Sequence, residues 1–161
     1  MKKILLIFIL LILFSCAGSK KILSIHEIEI ERKEINSLLN QWHQAASDAN
    51  LEEYFNKMDE KAIYLGTDAS ERWTKEEFYE FCKPYFDNGK AWTFIPEKRT
   101  IYFNNSGNIA WFEENLDTWM GTCRGTGVLQ YNKKEWKIIH YNLSVAVPNT
   151  IIKDYIKLLI E

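Results

Sequence analysis

The chain has 161 residues, of which 47% are hydrophobic and 14% aromatic, and it carries a formal charge of −2. That length and composition suit one domain with one core. The slight acidity leaves no strong basic field for nucleic acid, so that class of partner is excluded.

At the start, Lys2 and Lys3 precede an unbroken apolar run over residues 4–14, and Leu13-Phe14-Ser15-Cys16 sets a small residue before a cysteine. The segment resembles a bacterial lipoprotein signal peptide, 1–15, with its lipobox. The resemblance implies cleavage before Cys16 and acylation of that cysteine. It also implies a lipid-anchored, extracytoplasmic place in the bacterial envelope, on the outer or cytoplasmic membrane. The apolar run is shorter than the roughly 20 residues of a spanning helix and fits the about 7–15 of a secretory leader. An uncleaved anchor and plain secretion are the other readings. Residues 16–26 read as the lipidated cysteine and a tether, and the folded domain as 27–161.

From residue 28, Ile28, Ile35, Leu38, Leu39, Trp42, Ala45 and Ala46 recur at helical spacing and predict a long amphipathic helix ending near 48–50. A short helix over 51–58 follows, then a short strand over 62–65 that Gly66-Thr67-Asp68 closes with turn residues. Thr74 and Glu77 form a capping-box pattern for a helix to about residue 86, with Phe78, Phe81, Cys82, Tyr85 and Phe86 as its apolar face. Pro84 predicts an end or kink there.

Four long strands are predicted over 92–103, 109–119, 122–131 and 135–147. Asn104-Asn105-Ser106-Gly107, Met120-Gly121 and Asn132-Lys133-Lys134 join them in an antiparallel meander. Pro148-Asn149 stops the last strand, and 150–161 reads as a terminal helix. Helices followed by a curved antiparallel sheet give an α+β fold.

The element order, Gly66-Thr67-Asp68, Glu71-Arg72-Trp73, Ala110-Trp111, the run from Arg124 to Leu129 and the segment from Trp136 to Asn149 together resemble the SnoaL-like branch of the nuclear transport factor 2-like superfamily. The resemblance implies a cone-shaped fold enclosing a pocket, with N-terminal helices against the curved sheet and an extra C-terminal helix here. It also implies dimerisation through the sheet. Some members of that superfamily are isomerases, cyclases or dehydratases and many have no known reaction, so membership sets the fold more firmly than the function.

Strict alternation along the last strand puts Trp136, Ile138, His140, Asn142 and Ser144 on one face and Lys137, Ile139, Tyr141, Leu143, Val145 and Val147 on the other. Both faces are too apolar for open water. A homodimer through the sheet is expected to cover the second face, the terminal helix folding back being the alternative.

His140 is the candidate acid or base, with Glu113, Glu114 or Asp117 as the carboxylate whose pKa an apolar pocket would raise. A structural histidine is the plainer reading. Arg124 either meets an anionic ligand or pairs with one of those carboxylates, and Gly125 and Gly127 permit a bulge or close packing. Trp42, Tyr64 and Trp111 are the expected pocket walls, with Arg124, His140 and Asn142 as polar lining. Cys82 and Cys123 read as two buried free thiols, although an oxidising compartment would let them pair.

No metal or cofactor is expected: His26, His43 and His140 are dispersed and no Cys-x-x-Cys, Gly-x-Ser-x-Gly or Walker-type sequence occurs. Three functions remain. The first is a membrane-tethered domain binding a small apolar or amphipathic molecule; the second, an isomerase, dehydratase or cyclase working by proton transfer; the third, an assembly module.

Overall fold

The structure, a computed structural model, describes residues 24–89, 91–132 and 135–160. The expected leader 1–15, Cys16, most of the tether, and Lys133 and Lys134 of the last turn lie outside the described residues.

Helix α1 spans Ile25–Ser47. Ser24 caps it: its hydroxyl accepts from the Glu27 N–H at 3.2 Å, and the Glu27 carboxylate accepts from the Ser24 N–H at 2.9 Å. This reciprocal box satisfies two otherwise orphaned donors, so the helix begins inside the stretch assigned to the tether. Ile35, Leu39, Trp42, His43, Ala45 and Ala46 form its buried stripe. Helix α2, Leu51–Asn56, is capped by Asn50 and ends before β1, Met58–Leu65, which is longer than expected.

Strand β2, Arg72–Thr74, was not anticipated; it pairs antiparallel with the end of β1. Helix α3, Lys75–Asp87, opens on the expected Thr74–Glu77 box and carries Pro84 within it. Of its expected apolar face, Phe78, Cys82 and Phe86 are buried, whereas Phe81 and Tyr85 are 40% and 48% exposed.

Strands β3 (Ile95–Phe103), β4 (Ile109–Thr118), β5 (Gly121–Asn132) and β6 (Glu135–Val145) form the antiparallel meander, followed by helix α4, Ile152–Leu158. The curved sheet runs β2-β1-β6-β5-β4-β3. Its one parallel junction joins β1 to β6, and the long stretch of chain between them supplies the crossover that a parallel pair needs.

One irregularity decides which residues face the core. Across the β5–β6 ladder Val128 opposes His140 and Leu129 opposes Ile138, which leaves Ile139 as an extra residue. A bulge of this kind inverts the alternation beyond it. Trp136 and Ile138 therefore share the inner, helix-facing side with Tyr141 and Leu143, all at most 5% exposed. His140, Asn142 and Ser144 fall on the outer side, which corrects the assignment of these five to one face.

Aromatic rings fill the space between helices and sheet. Trp42 stacks on Tyr54 at 4.9 Å and meets Tyr141 edge-on at 4.7 Å, while Tyr64 stacks on Phe78 at 3.8 Å. Gly125 and Gly127 belong to this packing: any Cβ at Gly125 would strike the Tyr141 hydroxyl and Glu114, and one at Gly127 would strike the Phe112 ring. Both glycines serve close packing, and the bulge lies in β6 instead. Cys82 and Cys123 are buried and free, and burial pushes the Cys82 thiol up.

Candidate functional site

Two charged side chains meet on the inner face, Glu114 from β4 and Arg99 from β3. Ala110, Phe112, Glu114 and Leu116 all point inward by alternation, and Glu114 is 2% exposed. Its Oε1 accepts from His43 Nε2 at 2.8 Å and from the Tyr141 hydroxyl at 3.3 Å. A carboxylate can only accept, so His43 Nε2 bears the proton.

Oε2 accepts from Arg99 Nε at 2.8 Å, with Nη2 at 2.7 Å as a further charge contact. Arg99 Nη1 donates onward to Asn40 Oδ1 at 2.8 Å and to Asn36 Oδ1 at 3.2 Å on α1. The cluster thus ties the first helix to three strands, β3, β4 and β6.

Burial alone would push the Glu114 carboxyl up, but the His43 hydrogen bond and the His43 and Arg99 charges outweigh it and hold the group below the usual carboxylate range. The Tyr141 phenol is pushed well up, first by burial and then by the Glu114 charge beside it. Burial likewise raises Tyr54 and Tyr64. The interior therefore offers an anion already satisfied by its neighbours and phenols that stay protonated. Beside them, the buried Trp42 indole Nε1 has no acceptor among the described residues.

The outer face is ordered in cross-strand rows. Tyr102, Trp111, Val128 and His140 form the first; Thr100, Glu113, Thr126 and Asn142 the second; Lys98, Asn115, Arg124 and Ser144 the third. Tyr102 and Trp111 stack at 5.8 Å and 15°, remain 41% and 43% exposed, and floor an open groove of about 440 Å³ that His140 borders.

The family whose description is SnoaL-like domain matches residues 35–148. The chain belongs to the SnoaL-like family. Solved structures agree on the fold. A nuclear transport factor 2-like protein of unknown function from Pseudomonas putida superposes with a TM-score of 0.64 at 15% identity, covering 75% of this chain and 90% of its own. A domain of unknown function with a cystatin-like fold from Nostoc punctiforme gives 0.67 at 15% identity, covering 80% and 86%. A nuclear transport factor 2-like protein from Cytophaga hutchinsonii gives 0.61 at 17%, covering 72% and 98%. No curated protein matches the chain.

In this SnoaL-like domain the residues singled out from the sequence divide between two faces. Trp42 and Tyr64 lie in the interior at 1% and 4% exposure. Trp111, Arg124, His140 and Asn142 lie outside, as do the exposed carboxylates Glu113 and Asp117. Arg124 has no carboxylate partner among the described residues, contrary to the expected ion pair, because Glu114 points through the sheet and Asn115 stands opposite Arg124. Of the three carboxylates considered, only Glu114 is buried, and its pKa moves down where a rise was expected. His140 cannot act with it across the sheet.

His43 and Arg99 were missed. His43 falls in the apolar stripe of α1 beside Trp42 and four residues after Leu39, and a histidine in such a stripe signals a buried partner. Arg99 carried no comparable signal.

Proposed function

We propose that the domain is a non-catalytic binding module, tethered to a membrane through lipid on Cys16, that takes a small apolar or amphipathic molecule into its aromatic interior. The observation that carries this reading is the Trp42 indole N–H: it is buried, lacks an acceptor among the described residues, and lies among Tyr54, Tyr141 and His43. A buried donor left unsatisfied costs about 1–3 kcal/mol, a cost that an acceptor brought by a ligand would offset. A flat apolar body with one carbonyl, ether or hydroxyl oxygen fits that chemistry. Entry requires the packed rings to part.

Proton-transfer catalysis fits less well. A carboxylate below the usual range with both oxygens occupied is a weak base, and the other acid–base candidates face away from the enclosed interior. Thermal-shift and tryptophan-fluorescence titration with steroids, polyketides and fatty acids tests the binding reading. Trp42→Phe keeps a ring and removes the donor, and it should weaken a binding compound about five- to tenfold. If no compound stabilises the protein, or if Trp42→Phe binds as wild type does, the reading fails.

A second reading concerns the outer face, where we propose that two copies meet. A two-fold axis along the strands between β4 and β5 would set Trp111 against Val128, Glu113 against Thr126 and Asn115 against Arg124, with no like charges opposed. Light scattering on the purified protein should give a dimer that Trp111→Arg dissociates; a wild-type monomer sinks this reading.

A further inference from the structure

Helix α4 buries none of its residues. At about 100° per residue, Ile151, Ile152, Tyr155, Ile156, Leu158 and Leu159 fall on one arc of roughly 160°, and Lys153, Asp154 and Lys157 on the other side. Leu158 and Leu159 are 72% and 65% exposed. So broad an apolar face calls for a cover. The element is far too short to cross a bilayer.

We propose that α4 lies in the surface of the membrane to which the chain is tethered, apolar arc down, against a lipid headgroup layer bearing negative charge. This rests on the reading of Cys16 as the lipidated residue. Two lysines against one aspartate line the polar side, and Asp154 is already paired with Lys157 at 2.8 Å. Lysines placed there can extend toward lipid headgroups with their stems along the apolar boundary. Tyr155 sits within the arc, and an amphipathic ring of this kind favours the headgroup level.

The fold also fixes how the domain would then sit. The start of α1 is pinned beside the start of β6 and the end of β3, through Trp136 Nε1 donating to Glu31 at 2.7 Å and Arg32 over the Phe103 ring. Chain leaves β6 toward α4 at the other end of the sheet, beside the β4–β5 turn, where the Ala146 N–H donates to the Thr122 carbonyl at 2.9 Å. Tether and α4 therefore leave opposite ends of a body about as long as the 23-residue α1, roughly 34 Å. Nine residue steps from Cys16 to Ile25 span at most about 32 Å, so the tether leaves from one end while α4 holds the other. Attached at both, the domain lies along the membrane.

The test uses the full chain purified from bacterial membranes, with Leu158→Cys carrying an environment-sensitive fluorophore, in vesicles of phosphatidylethanolamine and phosphatidylglycerol. Mass spectrometry of the same sample reads lipid on Cys16, so failure of the tether is seen separately. The expected result is a blue-shifted emission, quenched at least twofold by brominated lipid. If Cys16 proves unlipidated, the same labelled chain in a Cys16→Ser background is added to those vesicles, and the blue shift is still expected. A label that stays water-exposed on vesicle-bound protein overturns the proposal. A shift that follows protein concentration without lipid also overturns it, because a second copy is then the cover.

Discussion

Glu113 and Glu114 are neighbours in β4, yet they belong to different chemical worlds. Glu114 faces inward, is sealed from water, and is held by His43, Arg99 and Tyr141. Glu113 faces outward and accepts from the Tyr102 hydroxyl at 3.4 Å. The contrast comes from strand alternation alone. It places the Glu114 ion cluster inside the fold and leaves Glu113 at the water-facing surface.

The comparison breaks most visibly at Glu114. Glu114→Ala strands the buried Arg99 guanidinium and leaves the His43 N–H without its acceptor, and removing one member of a buried ion pair costs about 3–5 kcal/mol. Urea denaturation should register that loss, whereas a loss under about 1 kcal/mol would mean that Arg99 and His43 are satisfied elsewhere. Acid sharpens the same point. The folded carboxyl lies below its unfolded value, so its contribution is present above the unfolded pKa of about 4.3 and is lost as pH falls through the lower folded value. Stability should fall more steeply below about pH 4.5 in the wild type than in Glu114→Gln. Parallel pH profiles would remove Glu114 as the cause.

Next in size is Gly125→Ala, whose methyl group meets the Tyr141 hydroxyl and Glu114 from the strand opposite. Overpacking of this kind costs about 1–3 kcal/mol. Tyr141→Phe removes the hydroxyl that Gly125 accommodates, so Gly125→Ala should cost less in that background. Equal costs in both backgrounds would show that the hydroxyl is not what the glycine makes room for. Smaller again is Ser24→Ala, which removes the α1 cap and should cost about 1 kcal/mol; no change in thermal midpoint would mean that the first turn contributes little.

These sites also mark how far the sequence can be read. The Thr74 box, the four-strand meander and the α+β order are local patterns, and the structure keeps them. Parity with Ala110, Phe112 and Leu116 was enough to turn Glu114 inward, and the apolar stripe of α1 was enough to bury His43. Neither the bulge at Ile139 nor the Arg99 partnership was legible. An extra strand residue has no composition of its own, yet it inverted the faces of His140 and Asn142 relative to Trp136. Arg99 finds Glu114 only once β3 and β4 pair and α1 covers them. Strand β2 was hidden for a related reason: three residues are too few to show a period.

The smallest effect is expected at Glu113. Its bond from Tyr102 is long and exposed, so water can replace the phenol at little cost, and nothing buried is left unpaired when the charge is removed. Glu113→Gln should shift monomer stability by no more than about 0.5 kcal/mol, against the several expected one residue further on. Its effect on self-association has a direction too: in the proposed two-fold arrangement Glu113 faces the partner's Thr126, and glutamine can still accept that hydroxyl's hydrogen bond, so the dimer should persist. Unfolding of Glu113→Gln as large as that of Glu114→Ala would mean that β4 does not present these two side chains to opposite faces, and the division between the two surfaces would fall with it.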